Sequence, residues 1–400
     1  MIRKSLLAWL LPALFVPAAL PADDTLSQAI NSLADRYYDF RLRTQPEIAY
    51  FSGVEIERHD GLYDNSPAAL AQEQATEDEL LLALGKIDST SLRGGVALIN
   101  YVFLEQALTS ARELRVCRNE LWGVSQMNGW QLHYTRLAGL QPVGTPELRQ
   151  QALARWGKMP AWIDQEIVNL QAGLKAGYSS PKAAVSRVIE QLDGVLAIPS
   201  ADSPFASPAK RDDDSEFSTR FVALVDKQIL PAVRRYRDFL ADSYLGQART
   251  SLAVTANPGG RACYEASLRS YTTLDRSPEQ VFELGRDTVA ANRERVEKLG
   301  KAAYGLDDMA GIIGKIKADP DDKFRSREEL LAFSRSAVTR SRDAVPAWFG
   351  RVPERDAVVE PYSEYQDGTG VSARYEPGGG ARPGTFRIPL HQPEKQSRGN

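Results

Sequence analysis

Ser-Pro and Thr-Pro dipeptides recur along the chain, and each stands immediately before a segment whose apolar residues have helical spacing. A Ser or Thr side chain accepts a hydrogen bond from the free N–H groups of a first helical turn, and Pro is tolerated next because its missing N–H has no helical partner there. Repeated start signals are typical of many successive helices. We therefore predict a mainly α, multi-helical fold with helix starts at Ser66-Pro67, Thr145-Pro146, Ser180-Pro181 and Ser277-Pro278.

Apolar residues at three- and four-residue intervals outline the helices themselves. Thr25 and Gln28 form a candidate capping box for the first helix, and Gln280 completes one after Ser277-Pro278. The polar segment Ser200–Asp214 is predicted to be a linker or an anchored surface loop. The predicted helices are Thr25–Arg43, Leu92–Arg115, Pro146–Ala176 with a bend at Pro160, Ala183–Leu196, Glu216–Tyr244 with a kink at Pro231, Pro278–Leu299, Asp307–Ile316 and Ser326–Arg342.

Two short extended runs near the C-terminal end interrupt this helical pattern. Apolar and polar side chains alternate in Gly370–Glu376, and a Gly- and Pro-rich turn, Pro377–Gly384, separates this run from Thr385–Leu390. The pattern predicts a small antiparallel β ribbon, with Ala357–Glu360 as a candidate additional strand. Two interpretations stay open. The ribbon closes one side of the helical domain, which local pattern favours, or it offers its edge to an extended peptide.

The first residues, Met1–Ala22, have the organisation of a secretory signal peptide. Arg3 and Lys4 precede an apolar run, Leu6–Leu20, which ends at small residues. The alternative, an uncleaved membrane anchor, is disfavoured because the run is short and contains two prolines. No cysteine lies near the cleavage point, so a lipid-modified N-terminus is disfavoured. No later segment is predicted to span a bilayer. We expect an exported protein, periplasmic or secreted, in which residues 23–400 form a helical domain.

Charge excludes one class of partner, and the cysteines raise one structural question. The formal net charge is −3, and it falls to −5 when Arg3 and Lys4 leave with the signal peptide. A general nucleic-acid binder is basic, so we expect no nucleic-acid partner.

The two cysteines, Cys117 and Cys263, are compatible with one disulfide, which would close a loop of about 146 residues and stabilise the fold. Two separate buried thiols are the alternative, and we favour the disulfide.

Motifs that carry catalytic chemistry do not occur in the sequence. The histidines, His59, His133 and His391, lie far apart, and neither a His-Glu-x-x-His nor a Cys-x-x-Cys spacing is present. A Gly-x-Ser-x-Gly nucleophile elbow, a phosphate-binding loop and a dinucleotide fingerprint are also missing. From the residues alone we predict no catalytic residue, no metal ligand and no cofactor in this chain.

Several stretches together resemble a known bacterial family. They are FRLRTQPEIAYFSG, the loop Gly61–Ser66, DKQILPAVRRYRDFLADSYL, NPGGRACYEASLRSYTTLDRSPEQVFELG and SARYEPGGGARPGTFRI. These stretches identify the chain as similar to the exported or lipoprotein-type proteins of the domain-of-unknown-function 885 family. The resemblance runs from about Thr25 to the end, and its most specific parts are Tyr271–Gly285 and Ser372–Ile388.

The resemblance implies a fold and a chemistry. Family members are longer and carry a His-Glu…Gly-His-His motif beyond the ribbon, in an arrangement similar to helical zinc peptidases of the neurolysin and thermostable-carboxypeptidase type. In such enzymes zinc activates a water, a Glu acts as general base, and a ribbon beside the metal holds the peptide backbone. The resemblance therefore implies zinc as the cofactor of a full-length member, and a peptide as its substrate or ligand.

The same resemblance points to the ribbon, Ser372–Glu376 with Arg382–Arg387, as the substrate-binding element. Tyr375 or Arg382 would contact the substrate or its carboxylate, because a guanidinium forms bidentate pairs with carboxylates. The alternative is that each of these residues serves only to fix the hairpin. The candidate substrate-binding residues are Arg374, Tyr375, Arg382, Gly384 and Arg387.

The sequence ends at Asn400, before the metal motif of the family, so the resemblance transfers no metal ligand and no general base to it. We expect residues 23–400 to be a domain truncated before the metal-binding motif, either as an incomplete sequence or as a natural fragment. Three hypotheses follow. The chain is the inactive N-terminal portion of a periplasmic zinc-dependent peptidase-like hydrolase, a non-catalytic periplasmic module that binds extended peptides on its ribbon, or a non-functional remnant.

Overall fold

A computed structural model of the protein describes residues 22–92, 95–353, 355–362, 367, 372–378 and 383–398. Most of these residues lie in helices, and a small sheet lies near the C-terminal end. The predicted signal peptide falls outside the described residues, except for Ala22. Within the described ranges, no helix combines the length and the apolar character needed to cross a bilayer.

Helix follows helix along most of the chain, as the repeated start signals predict. In the part of the chain that the structure describes they are α1 (Ala22–Thr44), α2 (Ile48–Ser52), α3 (Pro67–Leu84), α4 (Gly95–Leu114), α5 (Trp130–Leu140), α6 (Pro146–Trp156), α7 (Met159–Lys175), α8 (Lys182–Leu196), α9 (Ser207–Lys210), α10 (Ser215–Leu224), α11 (Leu230–Phe239), α12 (Leu245–Gln247), α13 (Gly260–Thr272), α14 (Pro278–Tyr304), α15 (Met309–Ala318) and α16 (Arg327–Ala344).

Three of the four predicted start signals are confirmed by their hydrogen bonds. The Ser66 hydroxyl accepts from the third backbone N–H of α3, and the Thr145 hydroxyl does the same for α6. Ser277 and Gln280 form the predicted capping box at the start of α14, each side chain bonding to the other residue's backbone. Local sequence therefore determines these helix ends without help from the rest of the fold.

Two start predictions are wrong, and both fail for reasons outside the local pattern. Ser180 does not cap α8, whose preceding residue is Pro181. Its hydroxyl donates instead to the backbone carbonyl of Trp122, which tertiary packing brings within reach. Thr25 lies inside α1 because that helix begins earlier, at Ala22.

Pro160 begins a helix where the sequence predicted a bend within one, and Pro231 lies near a widened helical turn. The predicted helix Pro146–Ala176 is two helices, α6 and α7, and Pro160 lies in the first turn of α7, where it starts a helix. The helical path from α10 to α12 continues through two π-helical turns, Val225–Ile229 and Leu240–Tyr244. The first of these wide turns ends two residues before Pro231, which has no backbone N–H to donate to the helical ladder.

Buried apolar side chains of the described residues form three cores. The first lies between α1, α3 and α4 and includes Ile30, Phe40, Leu80, Leu104 and Leu108. The second and largest lies among α5–α11 and includes Trp130, Trp156, Phe205, Phe221 and Tyr236. Because Phe205 is buried in this core, the polar segment around it is an anchored loop. The third joins α16 to the sheet and includes Phe324, Leu330, Val359 and Ile388.

The sheet has three strands in the described residues, β1 (Ala357–Pro361), β2 (Arg374–Glu376) and β3 (Gly384–Ile388), in the order β1-β3-β2. The predicted antiparallel pairing is confirmed for β2 and β3. However, β1 pairs with β3 in parallel, so the ribbon is part of a mixed sheet and β3 is its central strand. Much of the predicted turn, 379–382, lies outside the described residues.

The two faces of the sheet differ in polarity because side chains alternate along each strand. Val359, Phe386 and Ile388 share one face and contribute to the core with α16. Glu376 and Arg387 lie on the opposite face, which carries ion pairs. The alternation predicted from the sequence therefore corresponds to an apolar face on a helix and a polar face turned away from it.

Cys117 and Cys263 form a disulfide, with their Cα atoms 4.6 Å apart. Cys117 follows α4 and Cys263 lies in the first turn of α13, so the bond ties the N-terminal helices to a segment 146 residues later. An ion pair between Arg269 and Glu113, with 3.0 Å between Nε and Oε2, crosses the same contact between α13 and α4.

Replacing both cysteines by alanine should lower the free energy of unfolding by up to about 5 kcal/mol, because the unfolded chain regains the entropy that the long loop loses. Urea unfolding of the wild type and of Cys117→Ala/Cys263→Ala measures the loss. Wild-type protein treated with a reductant is the control and should lose a similar amount. Finding two reactive thiols in unreduced, denatured protein would contradict the bond.

Candidate functional site

Three guanidinium groups converge on one buried carboxylate at the sheet, and we call this group the Glu376 cluster. Arg374 Nη2 lies 3.0 Å from Glu376 Oε1, and Arg387 Nε lies 3.2 Å from Oε2. Arg136, from α5 in the helical body, approaches Oε1 at 3.5 Å. Arg387 also pairs with Glu360 of β1, with 2.6 Å between Nη1 and Oε2. The cluster therefore joins all three strands and connects them to α5.

The electrostatic balance of the Glu376 cluster is decided by the arginines. Burial alone raises the pKa of Glu376, which is 8% exposed, but Arg136, Arg387 and Arg374 outweigh burial and lower that pKa below its usual range. Among the described residues, three positive charges face Glu376, and Glu360 supplies one further negative charge to Arg387.

The sheet docks on the helical body through two further contacts. The Arg136 guanidinium stacks over the ring of Phe51 in α2, 4.6 Å from its centroid. Gly53, which ends α2 with φ +69°, lies so close to Gly378 that a Cβ atom would be 1.9 Å from the carbonyl oxygen of Gly378. The backbone after β2 therefore requires glycine at position 53.

The structure places the predicted ribbon residues in different roles. Arg374 and Arg387 belong to the Glu376 cluster, so their charges are engaged within the protein. Tyr375 is 56% exposed at the edge strand β2, and its ring lies across Gly384, where a Cβ atom would be 2.0 Å from the Tyr375 hydroxyl oxygen. Arg382 lies outside the described residues. Among the predicted residues that the structure describes, Tyr375 is the one whose side chain is largely exposed.

A second site, which the sequence did not predict, is a cavity of about 500 Å³ in the N-terminal half, and we call it the acidic cavity. Its walls come from α1, α3, α4 and α7, together with the loop 54–65 and the segment that leads into α5. A cavity of this size fits a small molecule of one or two residues or sugar units. Its charged side chains are Arg41, Glu73, Glu77, Arg115, Glu120 and Glu166.

The loop that closes the acidic cavity is fixed by buried polar groups. Arg155 of α6 is fully buried and donates to the carbonyl of Gly61 at 2.6 Å and to the Tyr50 hydroxyl at 2.9 Å. The buried Glu47 carboxylate accepts from the backbone N–H of Tyr63 at 2.7 Å. A loop without regular structure is therefore held in one conformation by hydrogen bonds to its backbone.

Glu166 is the carboxylate at the centre of this arrangement. Its Oε2 accepts a hydrogen bond of 3.1 Å from the Asn65 side chain, and Asn169 in turn donates to the Asn65 carbonyl at 2.8 Å. Burial raises the pKa of Glu166 from its usual 4.5 to about 7, while the Asn65 hydrogen bond lowers it by less. The carboxylate is therefore positioned by amides, and no described cation lowers its pKa.

The other charges of the acidic cavity have partners. Arg115 donates to Glu77 at 3.0 Å and to Asp78 at 2.9 Å, and Glu120 accepts from Arg118 at 2.6 Å. Burial raises the pKa of Glu73, and the nearby charge of Arg41 opposes that rise. Glu166 is therefore the lining carboxylate whose charge is left unbalanced by the described residues.

Sequence reasoning missed the acidic cavity because its residues come from separate segments. A local signal was present in α7, where Trp162, Glu166 and Asn169 are four and three residues apart and so share one helix face. That face carries a polar residue pair beside a tryptophan, which is unusual for a face turned inward. Only the fold shows that Asn65, 101 positions earlier than Glu166, meets it.

The described residues do not fit a zinc ion. No group of three or more His, Cys, Asp or Glu side chains in the described ranges is placed to hold a metal. His59 bonds to the Tyr50 hydroxyl at 2.6 Å, and the His133 ring packs on Phe51, so these two rings have structural contacts.

Comparison with known proteins gives a family and a fold. The family model described as "Bacterial protein of unknown function (DUF885)" matches residues 46–400. No match was found among curated proteins. A solved structure described as "the putative lipoprotein from Colwellia psychrerythraea" is similar with a TM-score of 0.79 and 17% identity, over 92% of this chain and 68% of that one.

A second solved structure is less similar, and the match covers comparable shares of the two chains. It is described as "a putative lipoprotein of unknown function from Shewanella oneidensis", with a TM-score of 0.61 and 16% identity, over 92% of this chain and 65% of that one. At these identities the likeness shows the fold alone. The chain spans about two thirds of the length of both proteins.

Glu166 should make the protein less stable as the pH rises from about 4.5 to about 7. In this window the unfolded chain releases the Glu166 proton while the folded protein keeps it, so the free energy of unfolding falls by about 3 kcal/mol and then levels off. Glu166→Gln removes this contribution, and urea unfolding across the pH range measures it.

Glu190→Gln, which removes an exposed carboxylate, is the matched control and should follow the wild type at every pH. Glu47 and Glu73, whose pKa values burial also raises, are unchanged in both variants, so the difference from wild type isolates Glu166. A Glu166→Gln profile parallel to that of the wild type would show that the carboxyl titrates normally.

Proposed function

This chain belongs to the DUF885 family of bacterial proteins of unknown function, and on that premise we propose that it is the N-terminal, peptide-holding portion of an exported peptide hydrolase. Its motifs resemble those of the family, and the arrangement that this resemblance implies for a full-length member is similar to helical zinc peptidases, which supports hydrolysis of peptides. The greater length of the solved relatives supports a further region, and that region would carry the metal motif.

The observation that carries this proposal is an exposed apolar stripe on α14. The helix has 27 residues, and Gly300 is the buried one among those that the structure describes. Phe282 and Val289 are 70% and 64% exposed. Val296 continues the stripe at the same seven-residue interval, which keeps all three side chains on one helix face. A long exposed apolar face of this kind is typical of a surface that another element covers. The proposed occupant is a helix of the further region.

The proposal assigns no chemical step to this chain. Since the described residues do not form a metal site, we expect the chain alone to bind no stoichiometric zinc and to cleave no peptide. One mole of zinc per chain together with peptide cleavage would contradict this assignment.

Removing the stripe should reduce dye binding without weakening the fold. Phe282→Gln/Val289→Gln/Val296→Gln should lower the fluorescence of an added hydrophobic dye by roughly half and reduce self-association, while Tm stays unchanged because the side chains are exposed. Leu284→Gln is the matched control, because Leu284 is 51% exposed on another face of α14. Equal effects of the two variants, or none from the triple variant, would argue against a docking face.

A second candidate function is peptide binding without cleavage, and the edge of β2 favours it. In the described residues β3 has a partner on both sides, whereas β2 is an edge strand with the exposed Tyr375 beside it. An extended peptide could add to such an edge through backbone hydrogen bonds, with an aromatic side chain as its anchor.

Tyr375→Ala should weaken the binding of labelled extended peptides by about tenfold, since aromatic anchors carry much of the affinity at such sites. Fluorescence anisotropy measures the affinity, and mass spectrometry of the recovered peptide reports whether it is intact. Tyr271→Ala removes a tyrosine that is 90% exposed on α13 and serves as the control. Identical affinities for the two variants would show that the peptide does not bind at the β2 edge. Recovery of intact peptide after incubation with a longer form of the protein would favour peptide binding without cleavage over hydrolysis.

A further inference from the structure

Among the glutamates that line the acidic cavity, Glu166 is the one that has no described cation as its partner. Of the four glutamates that line the acidic cavity, Glu77 and Glu120 pair with arginines, and Glu73 lies in the field of Arg41. In the described residues no hydrogen bond reaches Glu166 Oε1, and Asn65 alone donates to Oε2. The cavity therefore contains one carboxylate with the capacity to accept a positive charge.

The arginines of the acidic cavity do not offer a comparable site for an anion. Arg115 already donates to two carboxylates and to the carbonyl of Gln74. Arg41 donates to the Gln45 side chain at 2.8 Å and acts on Glu73. With four glutamates against two arginines, the cavity has an excess of negative charge and favours a cationic ligand.

Two tryptophans line the same cavity and define the kind of cation that fits. Trp130 and Trp162 stand edge to face, with their ring centroids 6.0 Å apart. Tryptophan faces attract ammonium groups and also accommodate an attached alkyl chain. Among the described residues, the buried indole N–H of Trp162 has no hydrogen-bond acceptor.

The side chain of Glu166 is held in place by a network of hydrogen bonds. Asn65 bonds both to Glu166 and to the Trp162 carbonyl at 3.1 Å, and Asn169 fixes Asn65 from the next turn of α7. The loop that carries Asn65 is fixed by Arg155 and Glu47. The carboxylate is thus held in one orientation without a cation. This reduces the side-chain entropy that the protein would lose when a ligand binds.

We propose that the acidic cavity binds an organic ammonium group, with Glu166 as its counter-ion and Trp130 and Trp162 as its walls. A bare metal ion fits less well, because the described residues contain no group of three or more ligands placed for one. The ammonium group belongs either to a free alkylamine or to the N-terminus of a short peptide, and the cavity volume admits both. This proposal is independent of the β2 edge and of the α14 stripe.

Isothermal titration calorimetry at about pH 8, where Glu166 is ionised, tests the proposal with three probes. They are 1,5-diaminopentane, trialanine and N-acetyl-trialanine, and 1,5-pentanediol is the uncharged control. We expect a dissociation constant below about 1 mM for at least one of the first two probes, and no binding of the diol or of the acetylated peptide. Binding of the diamine alone identifies a free amine as the ligand, and binding of trialanine alone identifies a peptide N-terminus.

Glu166→Gln should weaken the binding of that probe by at least about tenfold, because a buried ammonium would lose its counter-ion. Glu190→Gln is the matched control, since Glu190 is an exposed carboxylate outside the cavity that pairs with Arg187, and it should change the affinity by less than about twofold. The thermal unfolding of both variants shows that they are folded. Equal losses in the two variants, full affinity in Glu166→Gln, binding of the diol, or no binding of either amine would each overturn the proposal.

Discussion

The N-terminal half of the structure depends on one fully buried guanidinium. Arg155 lies in the largest core of the protein and contacts Gly61, Tyr50 and Gln141, which belong to three different segments. An unpaired buried charge is very costly, and here Nε and Nη1 are paired while Nη2 has no hydrogen-bond acceptor among the described residues. The loop 54–65 is therefore confined to the path that places its carbonyl and amide groups around Arg155 and Glu47. The shape of the acidic cavity follows from that path.

Glu376 and Glu166 show how two identical side chains acquire opposite properties. Both are removed from solvent, but Glu376 faces three arginines and Glu166 faces an asparagine. The pKa of the first is therefore lowered and the pKa of the second is raised to about 7. The negative charge of Glu376 is used within the protein to attach the sheet to α5. The negative charge of Glu166 has no internal use in the described structure, which makes it available to a ligand.

The proposed functions place different tasks on different parts of the fold. The edge of β2 and Tyr375 would hold an extended peptide, α14 would pack against a further region, and the acidic cavity would take an ammonium group. These surfaces rest on separate elements, since the disulfide joins α13 to the N-terminal helices while α16 supports the sheet. Each can consequently be altered without removing the others, and the family membership of the chain does not depend on any one of them.

Helix starts and strand alternation could be predicted from the sequence because they depend on neighbours. Ser66, Thr145 and Ser277 cap helices through bonds to residues three positions away, and β2 forms within the alternating run that precedes the Gly-rich turn. Ser180 could not be predicted, because its acceptors are carbonyls 56 and 58 positions earlier that only the fold brings near. The parallel pairing of β1 with β3 was missed for the same reason. The apolar–polar pattern of a strand does not determine which other strand it pairs with.

The sequence by itself determined that this protein is mainly helical, where several of its helices begin, and which family it resembles. Tertiary structure alone decided that Arg374 and Arg387 neutralise Glu376, that Tyr375 stays exposed, and that Glu166 stands without a cation in a cavity. The physical reason is that capping and alternation act over a few residues. The charge state and accessibility of a side chain depend instead on every group that folding brings within a few ångströms of it.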